Sequence, residues 1–180
     1  MFVHPFVRLA RSEDLATIIQ LYCACFAEPP WFEEFVAAEL EAEFREILSW
    51  PDAIFLVFDL NGVIAGATVG FSLKRKPDLV ALIPFDTSRT FYFSELFVNA
   101  HFRRVGIART LIQERLALAR LRGFTRAAVR TSVNQSIIQH LYLNKLGFNV
   151  VATQDVISTK VVNGVKQNVP DKRVIMAGKI

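Results

Sequence analysis

Hydrophobic positions recur along this chain with two periods, and their alternation outlines an ordered set of helices and strands. Phe6–Ala10 reads as a short strand, after which Leu15, Ile18, Ile19, Tyr22 and Phe26 repeat every three to four residues, the spacing of one helix face. Ser12 supplies a plausible N-cap, Glu13 and Asp14 suit the positive end of the helix dipole, and Pro29–Pro30 stops the helix. A second helix, rich in Glu and Ala, is predicted from about Phe32 to Leu48. The apolar runs Ala53–Leu60 and Val63–Phe71 flank Asn61–Gly62, the pattern of a tight antiparallel hairpin. Lys74–Thr90, with two prolines and mixed polarity, is expected to be a long loop and a candidate substrate loop. Phe91–Val98 follows as a strand. Ile107–Arg122 is a helix whose Ile107, Leu111, Ile112, Leu116 and Leu118 form a broad apolar face ended by Gly123. Thr125–Thr131 then reads as a strand, Gln135–Lys145 as a helix and Phe148–Ile157 as a strand, followed by a turn at Asn163–Gly164 and a last strand over Arg173–Ala177.

The 180 residues, 52% of them hydrophobic, suit one domain spanning 1–180 with one continuous core. No apolar run approaches the roughly 20 residues of a membrane-spanning helix, so no membrane partner is expected despite 16 Phe. Met1–Pro5 lacks a basic leader and an apolar block, which points to a cytoplasmic setting. Cys23 and Cys25 are too close for an ordinary disulfide and too few for a metal site, and His4, His101 and His140 are scattered, so metal chemistry is not expected. The net charge of +4 suits an anionic ligand. The cations at Lys74–Lys76, Arg103–Arg104 with Arg109, and Arg115, Arg120, Arg122 and Arg126 are not interleaved with aromatics as nucleic-acid platforms are. Most of them read as solvated helix faces.

The informative junction is Leu96 to Ala108, where a strand passes through a short basic loop into a helix. The first turn of a helix has N–H groups without partners and partial positive charge, so a diphosphate can settle there if backbone comes close. Gly106 and Ala108 provide that clearance, while Arg103, Arg104 and Arg109 add charge. Arg103, Gly106 and Ala108 match a signature of Arg or Gln, two residues, Gly, one residue, then Gly or Ala, by which the chain resembles the GNAT superfamily of N-acetyltransferases. The resemblance covers roughly Phe91–Val150 well and the outer segments by the order of elements. It implies a mixed α/β fold with a mostly antiparallel sheet splayed between its fourth and fifth strands and helices on both faces. It also implies acetyl-CoA as acyl donor, with the pyrophosphate on the amides of Arg104, Val105, Gly106, Ile107, Ala108 and Arg109, and the pantetheine arm along Leu96, Phe97 and Val98.

The resemblance assigns further roles. Asn134 would bond the pantetheine arm or cap the next helix. Tyr142 would protonate the departing thiolate, but it lies five residues before Gly147 where the family interval is four. The acid role therefore requires a local irregularity of the helix, and a core or rim tyrosine is the competing reading. An alkyl amine has a pKa of about 10, so it must lose a proton to attack. Glu95 is the candidate base, against an ordinary outward strand residue, with Ser94 able to orient a water. Glu28, Trp31 and Phe32, with Glu33 and Glu34, are candidates for holding the amine against aromatic faces. The expected activity is direct acetyl transfer to the primary amine of a small molecule or peptide, by a monomer or homodimer. The rival readings are an inactive acyl-CoA-binding module and a basic nucleic-acid-binding domain.

Overall fold

A computed structural model describes residues 6–180. The expectation drawn from Met1–Pro5 lies outside them, as does His4. Among the described residues, seven strands make one sheet in the order β1-β2-β3-β4-β5-β7-β6. β1 is Val7–Leu9, β2 Ile54–Leu60, β3 Val63–Ser72, β4 Thr90–Val98, β5 Arg126–Ser132, β6 Asn149–Val162 and β7 Val165–Lys179. Every neighbouring pair is antiparallel except β4 and β5. The helices are α1 (Leu15–Ala27), α2 (Ala37–Ser49), a short α3 (Pro77–Val80), α4 (Ile107–Leu121) and α5 (Ser136–His140).

The periodic apolar faces fill two separate layers, one on each side of the sheet. Leu15, Ile18, Tyr22 and Cys25 of α1 and Leu40, Phe44 and Ile47 of α2 pack with Val57, Ala67, Val69 and Phe97 on one face. Leu111, Ile112, Leu116 and Ala119 of α4 pack with Leu56, Phe91, Phe93, Tyr142 and Phe148 on the other. The mixed sheet with helices on both faces agrees with the expected architecture.

Four local expectations are corrected. Ser12 is not the cap of α1: it opens a 3-10 turn, Ser12–Asp14, and Asp14 accepts the Arg11 N–H at 2.7 Å while Arg8 grips its carboxylate. The second helix starts at Ala37 rather than Phe32, because Glu33 N–H bonds Phe26 O and Phe32 O accepts Val161 N–H, drawing 32–36 out as a connecting wall. Residues 74–90 are not an open substrate loop. They carry α3, and Leu79 and Ile83 are buried against the α1–α2 face of the core. The tail is one long hairpin, in which β6 pairs with β7 from Asn149–Ala177 to Val162–Val165.

Two departures from regular pairing prepare the site. β4 pairs with β5 only from Thr90–Arg126 to Phe93–Val129, so the strands part beyond that point. At the same place, Val69 of β3 faces Glu95 whereas Gly70 faces Phe93, leaving Ser94 as an extra, bulged residue. Phe91 and Phe93 point to the α4 face, and strict alternation would send Glu95 there too. The bulge turns it over: Glu95 sits opposite Val69, and Phe97 joins the α1–α2 core. Gly70 makes this packing feasible, since a Cβ there would lie 2.3 Å from the Phe91 ring and 2.6 Å from Tyr92 O. Gly70→Ala should therefore cost roughly 3 kcal/mol and lower the midpoint of thermal unfolding by roughly 5–10 °C, as calorimetry would show. An unchanged midpoint would mean the bulge does not depend on this contact.

Candidate active site

Where the strands part, a cavity of about 250 Å³ passes from one face of the sheet to the other. Its walls on the α1–α2 side include Tyr22, Phe26, Trp31, Glu33 and Glu95, and on the α4 side Phe93, Arg115, Ile138 and Tyr142, with Ser94 and Leu96 between. Glu95 and Tyr142 thus share one cavity although they belong to opposite faces of the sheet.

Glu95 lies in a setting that favours its neutral form. Burial raises its pKa from 4.5 to about 7, and the negative charges of Glu43 and Glu33 push the same way. The Ser94 hydroxyl, 3.2 Å from Oε1, and Lys76 oppose the rise. A carboxyl half-ionised near neutrality can take up and release a proton at little cost. Glu33, beside Trp31, is raised by burial as well.

Tyr142 is 2% exposed. The extra residue before Gly147 is absorbed by a π-helical turn over Leu141–Lys145 that continues α5, with Leu146 N–H bonding Leu141 O and Phe148 N–H bonding Tyr142 O. This irregularity carries the Tyr142 ring to the cavity against Phe93 and Phe148. Burial raises the phenol pKa, and the Arg115 guanidinium, whose Nη2 donates to the phenol oxygen at 3.2 Å, opposes that rise.

The junction before α4 has the form expected. Arg104 (φ 65°) and Gly106 (φ 93°) are left-handed, which turns the loop tightly into the helix. Thr110 N–H, bonding Gly106 O, closes the first helical turn. The N–H groups from Arg104 to Arg109 precede it and have no partner among the described hydrogen bonds outside the helices, so they are free for an anion. Arg104 and Arg109 are exposed beside them. Leu96, Phe97 and Val98 lie on the part of β4 that β5 has left, so the β4 edge facing the gap can accept an extended arm.

Other expected residues are placed differently. Arg103 is engaged elsewhere: its guanidinium bonds Val98 O at 2.9 Å and Glu28 at 2.6 Å and approaches the Cys25 sulfur, bracing the loop against α1. Glu28 is occupied by that ion pair and does not line the cavity. Trp31 does line it, whereas Phe32 lies on a separate hollow with Cys23, Glu34 and Val161. Asn134 is exposed in the β5–α5 connection, and Gln135 takes the cap position.

Sequence reading missed Arg115. It counted among the solvated arginines, yet it is fully buried. Its signal was its place between Leu111 and Ala119 at steps of four, on the apolar stripe of α4.

A sheet that parts beside a helix N-terminus with open N–H groups offers room for a diphosphate-bearing carrier whose far end reaches through the sheet. Residues 15–148 match the family model described as the acetyltransferase (GNAT) family, and the chain belongs to that family. It is an acetyltransferase of that family. Solved structures share the fold. An N-acetyltransferase from Staphylococcus aureus Mu50 superposes with a TM-score of 0.74 at 19% identity, covering 96% of each chain. A ribosomal-protein-alanine N-acetyltransferase from Brucella melitensis gives 0.72 at 19% identity, covering 97% of this chain and 99% of that one. A putative acetyltransferase from Salmonella typhimurium, solved with its cofactor acetyl-CoA, gives 0.67 at 21% identity, covering 96% and 92%. Comparison with curated protein sequences returns no significant match.

Proposed function

We propose that this chain transfers acetyl from acetyl-CoA to a primary amine directly, with both substrates bound at once. The observation that carries the reading is the cavity through the parted sheet, which has Glu95 on one face and Tyr142 on the other. The acetyl-CoA diphosphate would rest on the N–H groups of Arg104–Arg109, with Arg104 and Arg109 adding charge. The pantetheine arm would pair with Leu96–Val98 and pass Asn134, bringing the thioester to the bulge.

The amine enters from the α1–α2 face, where Trp31, Tyr22 and Phe26 offer aromatic surface and Glu33 and Glu95 offer negative charge. Glu95 as carboxylate takes a proton from the amine, whose lone pair then attacks the thioester carbonyl. A β4 amide donates to the oxygen as it gains charge. When the C–S bond breaks, the Tyr142 hydroxyl gives its proton to the thiolate. The nitrogen gives up two protons in all, one to Glu95 before attack and one from the tetrahedral adduct that restores the Tyr142 hydroxyl, while the thiol gains one, so the ammonium and acetyl-CoA yield the amide, free CoA and one proton.

Support for an amine acceptor, as a small molecule or a peptide, comes from the acidic and aromatic wall. Calorimetric titration with CoA and acetyl-CoA at modest ionic strength should give one-site binding, and free thiol should be released when an amine panel is added. Absence of binding heat and of any thermal shift would overturn the coenzyme site. Binding without thiol release for any amine class would overturn the catalytic reading.

A further inference from the structure

Arg115 is a fully buried charge between the helix and the bulge, and the family signature does not account for it. The side chain is 0% exposed, and no carboxylate lies within ion-pair distance of it among the described residues. A buried cation without a counter-ion is costly unless its N–H groups are used. Nη1 donates to Val69 O at 3.0 Å and to Glu95 O at 3.0 Å, Nη2 donates to the Tyr142 hydroxyl at 3.2 Å, and Nε has no partner. The guanidinium carbon lies 3.9 Å from the Phe93 ring centroid.

These contacts converge on both ends of the proposed reaction. The Tyr142 oxygen is an acceptor from Arg115, so its own hydrogen is left for another acceptor, and the side chain borders the cavity. Glu95 O is held twice, by Arg115 and by the Thr68 hydroxyl at 2.8 Å. The Glu95–Leu96 peptide is one planar trans unit, so its N–H points opposite to that oxygen, and a donor on the carbonyl polarises the N–H in turn.

We infer that Arg115 is a positioning residue for acetyl transfer, acting through Tyr142 and the Glu95–Leu96 peptide: it turns the phenol hydrogen toward the leaving sulfur and strengthens the bulge amide as a donor. The inference rests on the acid role of Tyr142 proposed above. A purely structural Arg115, merely tying β3 to β4 at the bulge, would make the same contacts with the two carbonyls but would act independently of the phenol.

A double-mutant cycle separates these. Arg115→Met, Tyr142→Phe and the double variant are compared by kcat, by KM for acetyl-CoA, by calorimetric binding of CoA and by thermal unfolding. Arg115→Met is expected to lower kcat by about 10–100-fold with CoA binding unchanged within about threefold. In the Tyr142→Phe background the same substitution should cost markedly less, because residues that act as a unit are not additive. Arg115→Lys, which keeps a donor for the phenol, should recover part of the loss only when Tyr142 is present. It also carries the cycle if the Met variant does not fold. Equal losses from Arg115 substitution in both backgrounds would overturn the inference while leaving the acid role intact. A silent Tyr142→Phe would overturn the acid role and the inference with it, and CoA binding that persists there would leave the coenzyme site standing.

Discussion

Glu95→Gln should lower kcat/KM by about 10²–10³-fold and remove the acid limb of its pH profile. General base catalysis contributes about 10²–10⁴-fold, and Glu95 is the carboxyl at the bulge whose pKa is brought to about 7. With a weakly basic amine, itself unprotonated below neutrality, the wild-type profile should climb tenfold per pH unit up to about 7 and level off above. A limb that survives in Glu95→Gln would assign the proton to another group, with Glu33 the other carboxyl lining the cavity.

The same residue makes an opposite prediction for stability. Because its folded pKa is raised, the native state holds a proton that the unfolded chain releases between pH 4.5 and about 7. Stability therefore falls as pH rises through that window and stays reduced above it. Glu95→Gln should be more stable than wild type at pH 8 by on the order of 1–3 kcal/mol, with the gap closing below pH 4.5. Denaturant unfolding at the two pH values measures it. A variant less stable at pH 8 would show that the carboxylate is better solvated than its surroundings indicate.

The second large effect is expected at Tyr142. Tyr142→Phe retains the ring against Phe93 and Phe148, so CoA affinity should be nearly unchanged, while the Arg115 Nη2 left without its acceptor should cost about 1–3 kcal/mol of stability. Loss of the proton donor should reduce kcat by about 10–100-fold. The loss should fall on kcat rather than on KM, because the hydroxyl is used when the C–S bond breaks rather than in binding. Measuring both under conditions where chemistry limits turnover decides the point. A variant with full kcat would return Tyr142 to the role of a core tyrosine.

Much of the architecture was legible in the chain itself. The apolar periods placed α1, the β2–β3 hairpin, β4, α4 and β5 within a residue or two of their observed limits, because each is a local amphipathic pattern. The run of open N–H groups before α4 was legible for the same reason: Arg104 to Arg109 form one short segment whose N–H groups are orphaned by the start of a helix. Boundaries failed where distant partners set them. Val161 N–H on Phe32 O holds 32–36 out of α2, and partner strands extend the tail into a hairpin that its polar surface did not suggest.

The chemistry was divided between the two levels. Residue types and local spacing nominated Glu95, Tyr142 and the loop before α4, and marked the five-residue interval before Gly147 as irregular. The fold alone decided which way those side chains face. A bulge exists only where two strands pair out of step, so the turning of Glu95 toward the α1–α2 side depends on β3. Its raised pKa depends on desolvation by residues far along the chain. Arg115 shows the limit most plainly: an arginine on an apolar helical stripe acquires its burial and its partners, Val69, Glu95 and Tyr142, only when three separate segments close around it. Local sequence specifies periodic elements, whereas burial and electrostatic environment are sums over neighbours that only tertiary packing brings together.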